Sequence, residues 1–289
     1  MAEPIISFKD FTFQYRAQKR PTLYDINLDI YPGERVLIVG PSGSGKSTLA
    51  SCINGLIPHS YAGEHQGTLI VDGVDAPNSG IFELSQHVGT VLQDPDGQFV
   101  GLTVGEDIAF SLENNCVPQQ EMIDLTKQVA GMVGVQDHLE YAPHELSGGQ
   151  KQRVSLAGVM VNQVDVLLFD EPLANLDPAT GKRAIALIDE IQKKNNTTII
   201  IIEHRLEDAF PMADRVIVMN KSSVAMQGSV DEVYSRHNEL VEMGLNIPQI
   251  TSLFVRLKEK GYNVRTNIYS VEEGRKELLS ILKGGREND

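Results

Sequence analysis

Cysteine is scarce in this chain, with two among 289 residues. Cys52 and Cys116 stand alone and far apart, so the sequence offers neither metal-ligand spacing nor a disulfide framework. A reducing, cytosolic setting is expected. Long apolar runs are also missing. No stretch approaches the roughly 18 apolar residues of a membrane-spanning helix, so any role at a membrane is expected to go through partner proteins. The N-terminal MAEPIISFKD is acidic and short of apolar residues, unlike a signal peptide. Basic residues are outnumbered, 25 Lys and Arg against 39 Asp and Glu, for a formal charge of −14. A general nucleic-acid binder presents a basic face, so nucleic acid is not an expected partner. A local glycine-rich anion site remains open. Internal repeats and low-complexity tracts are lacking too.

What the chain does contain is an alternation of strand and helix patterns. FTFQY (Phe11–Tyr15) and INLDI (Ile26–Ile30) alternate apolar and polar residues, as half-exposed antiparallel strands do. RVLIVG (Arg35–Gly40), VDVLLFD (Val164–Asp170) and TTIIIIEH (Thr197–His204) are instead continuous apolar runs, suited to parallel strands buried on both faces. Helical patterns follow each, at Lys46–Asn54, Pro178–Lys194 and Leu206–Met212, giving the βαβ rhythm of an α/β domain. The stretch from about Asp94 to Asn162 has a helix-rich texture and reads as a helical subdomain inserted into that domain. After Asp214 a strand, a turn and a strand are expected. The remainder, 230–289, is read as a helical extension broken near Pro248 and ending in the linker-like KGGREND.

Two motifs carry chemistry. GPSGSGKST (Gly40–Thr48) fits G-x-x-x-x-G-K-[ST] between a buried strand and a helix. Its glycines let backbone N–H groups wrap a phosphate chain at a helix N-terminus, where the dipole also favours negative charge. Gly40, Ser42, Gly43, Ser44, Gly45, Lys46, Ser47 and Thr48 are the candidate nucleotide-binding residues. Lys46 is placed for the β- and γ-phosphates and the Ser47 hydroxyl for Mg²⁺. VLLFDEP (Val166–Pro172) ends a buried strand in two carboxylates. Asp170 suits Mg²⁺, through water, and Glu171 suits a general base that takes a proton from attacking water. Alone, each motif has a plain structural alternative, a glycine-rich turn and a pair of strand-end solubilising acids.

A third stretch, LSGGQKQR (Leu146–Arg153), places two poor helix formers at a helix start. Together with the phosphate loop, the carboxylate pair and a later histidine, it closely resembles the ATP-binding-cassette (ABC) ATPases over about Ile5 to Gly228. The resemblance implies a P-loop NTPase (RecA-like) α/β core with an N-terminal antiparallel β-subdomain, the helical insert at about 94–162 and a small C-terminal helical extension. The ATPase domain would cover 1–229 and the extension 230–289. It also implies that ATP binds with Mg²⁺ and that Ser147, Gly148 and Gly149 clasp the γ-phosphate held by a second ATPase domain, in a homodimer or related heterodimer. Gln150 would hold that loop. Position by position, Gln93 matches the Q-loop glutamine, a Mg²⁺ and water ligand. His204 matches the switch histidine beside Glu171, Tyr15 the aromatic stacked on adenine, and Asp177 in LANLD the loop crossing the dimer interface. Ala174 stands where serine is common, and Arg205 where an acid often sits.

Finer similarity, in NGLIPHSYAGEHQGTLIVDG, QDPDGQFVGLTVGEDIAFSLEN and IIEHRLED, is to energy-coupling-factor (ECF) transporter ATPases. It implies a peripheral position on the cytoplasmic face of the cell membrane. The partners it implies are a transmembrane subunit docked near Gln93–Phe99 and a substrate-binding membrane subunit. Asp94, Asp96, Phe99 and Glu106 are the residues expected to receive a helix of the transmembrane subunit. Another ABC importer or a soluble non-transport ABC ATPase is the alternative, and the chain could also be one half of a tandem ATPase.

Overall fold

The computed structural model describes residues 3–91, 97–173, 178–203, 212–246 and 248–284. Its strands are β1 (Ile6–Tyr15), β2 (Leu23–Ile30), β3 (Arg35–Val39), β4 (Gly63–Val71), β5 (Val74–Asp75), β6 (Val88–Val91), β7 (Val166–Asp170), β8 (Thr198–Ile202), β9 (Arg215–Asn220) and β10 (Ser223–Gly228). The first helices are α1 (Lys46–Ile53), α2 (Leu56–His59), α3 (Ile81–Ser85), α4 (Val104–Asn114), α5 (Gln119–Val133) and α6 (Gly148–Met160). They are followed by α7 (Pro178–Asn195), α8 (Val230–Ser235), α9 (His237–Glu242), α10 (Gln249–Glu259) and α11 (Val271–Gly284).

The continuous apolar runs become the centre of a six-stranded sheet ordered β10-β9-β3-β8-β7-β6. All its pairs are parallel except β9 with β10. Each central strand feeds two cores, because successive side chains point to opposite faces. Val36, Ile38, Val166, Leu168, Ile200 and Ile202 pack with α1 and the aromatic row Phe8, Phe11 and Phe13 of β1. Leu37, Val39, Leu167, Phe169, Ile199 and Ile201 pack on the other face with Ile108 of α4, Val129 of α5 and Val154 of α6. Full burial of each such side chain contributes about 1.5–3 kcal/mol. This is why strands with no polar face are stable here.

The second sheet is antiparallel, ordered β2-β1-β4-β5. The two strands read from sequence, β1 and β2, are both here; β2 alternates as expected, buried at Leu23, Ile26, Leu28 and Ile30 and exposed or half-exposed between them. In the stretch read as a helical insert, α4, α5 and α6 pack on one another. Helix α4 starts with a capping box: Thr103 Oγ1 accepts from Glu106 N–H at 3.2 Å, and Glu106 Oε2 accepts from Thr103 N–H at 3.1 Å. Such caps contribute about 1 kcal/mol.

Past β10, Val233, Tyr234, Leu240 and Leu245 join the larger core, while Phe254, Val264 and Ile268 close a small core of their own. Pro248 does not merely break a helix; it is the residue on which α10 begins. Lys283 and Gly284, read as linker, close α11, and 285–289 lie outside the described residues. The helix expected at Leu206–Met212 lies outside them too, save Met212, which packs in the larger core.

Candidate functional site

Because β3, β7 and β8 run parallel, their C-terminal ends share one edge of the sheet. Asp170 sits beside Ile202 in register, and β8 lies between β7 and β3. The phosphate loop, the carboxylate pair and the end of β8 therefore converge at the crevice where α/β sheets bind ligands.

The loop from Gly40 to Gly45 turns β3 into α1. Gly45 has φ 106°, and a Cβ there would come within 2.8 Å of the Thr22 carbonyl oxygen, so both conformation and space require glycine. Gly43 also has a positive φ, 76°, but its Cβ would meet nothing within 4 Å. That open side faces none of the described residues. Lys46 is only 5% exposed, and its Nζ donates to the carbonyls of Gly40 at 2.9 Å and Pro41 at 3.1 Å. Burial pushes its pKa down, while the carboxylates of Glu171 and Asp170 pull it back up. The ammonium is thus the counter-charge for both acids. Ser44 is 3% exposed, and its Oγ has no hydrogen-bond partner among the described residues. A buried hydroxyl without a partner is costly, so an acceptor supplied by a ligand would relieve it. Ser47, one position beyond Lys46, is exposed. The loop thus offers a cradle, a buried cation, an orphan hydroxyl and a helix N-terminus with no acid in its first turn. This set fits a phosphate chain. The exposed Ser47 hydroxyl together with Asp170 gives the hard oxygen donors that Mg²⁺ takes.

Tyr15 ends β1 with its hydroxyl 3.1 Å from Thr48 Oγ1 and its ring edge-on to Phe13 and to Tyr61. The structure therefore brings this aromatic to the first turn of α1. Tyr61, half exposed in the loop before β4, was not singled out from sequence.

Glu171, just past β7, has φ 52°, a left-handed backbone that costs a non-glycine residue about 1–2 kcal/mol. Its N–H donates to the Ile202 carbonyl at 2.9 Å. The structure also holds a residue that the sequence reading passed over. Glu203 is 2% exposed, and its Oε1 accepts from the Leu173 N–H at 2.8 Å. An acid closing the run TTIIII was the available signal, since buried carboxylates need partners.

Ser147 caps α6. Its Oγ accepts from Gln150 N–H at 3.4 Å, and Gln150 Oε1 accepts from Ser147 N–H at 2.8 Å. Accepting leaves the Ser147 hydroxyl proton free to donate outward. Gln150 Nε2 donates to His138 Nε2 at 2.8 Å, which ties the start of α6 to the loop before it. Ser147 and Gly148 are exposed, and a Cβ on Gly148 would meet nothing within 4 Å. Nothing among the described residues requires that glycine.

Gln93, Asp94, Asp96, Ala174, Asp177, His204 and Arg205 lie outside the described residues. Phe99 is partly buried against the larger core. Glu106 is taken up by the cap of its own helix and also accepts from Leu102 N–H, a role its place among the docking acids did not anticipate. Cys52 is buried, which pushes its thiol pKa up and makes it unreactive.

A phosphate cradle, a buried lysine and two strand-end carboxylates at the C-terminal edge of a parallel sheet define a P-loop nucleotide-binding domain. The chain belongs more narrowly to the ABC transporter family: the family model of that description matches residues 23–174. A putative ABC transporter ATP-binding protein of Clostridium perfringens is 54% identical over 93% of this chain and 47% of its own length. One of Enterococcus faecalis is 55% identical over 86% of this chain and 44% of its own. The chain thus spans about half the length of the curated relatives it matches. Among solved structures, cbiO1 of Clostridium perfringens, part of the ABC transporter complex cbiONQ, has a TM-score of 0.75. It is 31% identical to this chain, over 90% of this chain and 98% of its own. The dimeric ATP-binding cassette MJ0796, in a post-hydrolysis state with ADP and phosphate, has a TM-score of 0.67 at 26% identity, over 78% of this chain and 98% of its own. The fold is accordingly the mixed α/β ABC ATPase fold with its antiparallel sheet and helical parts.

Proposed function

We propose that the chain binds and hydrolyses ATP to energise an ECF-type ABC importer. Lys46 would meet the β- and γ-phosphates after leaving the Gly40 and Pro41 carbonyls. The loop N–H groups and the Ser44 hydroxyl would complete the cradle, and Tyr15 would stack on the adenine. Ser47, Asp170 and Gln93 would hold Mg²⁺, directly or through water. When bound, Mg²⁺ neutralises charge on the β- and γ-phosphate oxygens. Glu171 would take the proton of the attacking water, with His204 beside it. A positioned base contributes about 10²–10⁴-fold in rate.

Ser147, Gly148 and Gly149 would serve the phosphate of a second ATPase domain, with Asp177 at the interface between the two. The single observation that carries this is the open space at Gly148: a helix N-terminus of bare backbone, exposed and unused among the described residues, would suit an anion from outside. Domain 1–229 would carry the ATPase. The segment 230–289, with its own small core, would be an appendage supporting contacts between such domains.

The likeness to cbiO1 supports the ECF reading. So does the exposed apolar set Val100, Leu102 and Phe110 on the rim of the helical part. A cytoplasmic helix of a transmembrane subunit would dock there, with Asp94 and Asp96 as the acids that receive it. A separate membrane subunit would bind the solute, and the chain would sit on the cytoplasmic face. The test is copurification from native membranes. Asp94→Lys with Asp96→Lys should release the transmembrane subunit while the isolated protein still binds ATP. Retention of that subunit with normal uptake would overturn the docking face.

A further inference from the structure

One peptide plane next to the candidate base is gripped on both edges. The Pro172 carbonyl accepts a hydrogen bond from Gln152 Nε2, and the Leu173 N–H of the same plane donates to Glu203 Oε1 at 2.8 Å. The two grips come from different elements. Gln152 projects from α6, one turn beyond Gly148, and Glu203 stands just past β8. Leu173 itself is fully buried.

We propose that Gln152 and Glu203 are positioning residues that fix the Glu171 carboxylate through this plane. The proposal rests on the reading of Glu171 as the base. A peptide unit is planar, so holding its C=O and its N–H sets its orientation. The proline ring locks the next backbone angle toward Glu171. That orientation is therefore passed back along the chain with little slack. On its other side Glu171 is tied by its N–H to the Ile202 carbonyl at 2.9 Å. A residue at φ 52° persists only when its surroundings over-determine it, and these three bonds contribute to that. The arrangement has a second consequence. Gln152 and the Ser147–Gly149 anion site share one helix, so a shift of α6 as that site engages a phosphate is felt at the peptide beside this chain's own base.

The test uses the full-length protein. Glu203→Gln keeps an oxygen acceptor for the Leu173 N–H; Glu203→Leu removes it at similar size. With Glu203→Leu, kcat should fall on the order of 10²-fold, the effect of misplacing a reacting group by about 1 Å, while KM for ATP is unchanged. Glu203→Gln should restore most of the rate. Exchange of the Leu173 amide proton should speed up roughly tenfold in the Leu variant and not in the Gln variant, as loss of one net hydrogen bond predicts. A Leu variant with wild-type kcat, or a Gln variant as slow as the Leu variant, overturns the proposal. If Glu203→Leu does not melt cooperatively, Gln152→Leu on the half-buried face of α6 carries the same test: kcat should drop with KM unchanged, and wild-type kcat overturns it. Wild-type turnover in Glu171→Gln would instead remove the base assignment, and amide exchange at Leu173 would still report whether the clamp exists.

Discussion

At Gly45 an added Cβ would meet the Thr22 carbonyl oxygen at 2.8 Å and the Leu23 side chain at 3.0 Å, whereas at Gly148 it would meet nothing within 4 Å. Both glycines stand at helix starts, yet among the described residues only the first is demanded by its surroundings. Around the phosphate loop, Thr48 already pairs with Tyr15, and Lys46 with the strand-end acids. Around the signature, Ser147 and Gln150 satisfy each other, and Gly148 beside them is exposed. A site whose composition is not explained by internal packing is explained by what arrives from outside. On the proposed reading, the two stretches divide into a half-site this chain would complete and a half-site a second domain would complete.

The comparison can be broken at several points. The largest effect is expected at the base: Glu171→Gln should lower kcat by about 10²–10⁴-fold with ATP affinity retained, read by phosphate release and equilibrium nucleotide binding. Lys46→Ala should act on the other quantity. Loss of a buried charge partner of phosphate should weaken ATP binding on the order of 10²-fold or more, read by calorimetry. Were Lys46→Ala to leave ATP affinity intact, the phosphate loop would not be the half-site held in cis.

The two glycines then give opposite signs. Gly45→Ala forces a Cβ onto a positive φ and against a carbonyl, and should destabilise the fold by about 1–3 kcal/mol. Gly148→Ala adds a helix-favouring residue in open space and should raise stability by about 0.4–1 kcal/mol while hydrolysis falls. Thermal melts beside ATPase rates check both. A Gly148→Ala protein that is stabilised and fully active would show that no ligand needs that space.

How much of this was legible beforehand follows from the same physics. Runs such as VLLFD and TIIII announce buried parallel strands because both faces must be apolar. The loop at Gly40–Thr48 and LSGGQ announce themselves because only glycine allows backbone so close to an anion. Strand β4 has no such signal: GEHQGTLIV is mostly exposed until its last residues. Strand β6 is only four residues with Gly89 inside it, where a Cβ would strike Val159 of α6. Its identity depends on a neighbour far along the chain. Glu203 and Gln152 were illegible as partners for the same reason, since their shared target is a backbone plane that only the fold brings between them.

The smallest expected effect lies at the N-terminal end of β3, away from both glycine-rich stretches, and serves as a control. Arg35 bonds Asp214 at 2.6 and 2.9 Å and holds its carboxyl below the usual range; it also bonds Asp189 at 2.8 Å, whose carboxyl is held down first by Lys193 and then by Arg35. Asp214→Asn should cost no more than about 1 kcal/mol, because the pair is solvent-screened. A depressed carboxyl contributes stability above its unfolded pKa and loses it as pH falls through the folded value. The gap between variant and wild type should therefore be constant above about pH 4 and close at lower pH, while ATP affinity stays as in wild type.

The central claim is that the signature acts on a nucleotide bound elsewhere. The most direct measurement takes Ser147→Arg protein and determines ATP affinity and hydrolysis rate on the same sample. The account predicts affinity equal to wild type, because this chain's own phosphate loop is untouched. It also predicts hydrolysis lowered by about 10²-fold or more, because preorganised donors to the transferring phosphate are lost. Hydrolysis equal to wild type would contradict it, as would an ATP affinity that falls in step with the rate, which would place the signature on its own chain's nucleotide.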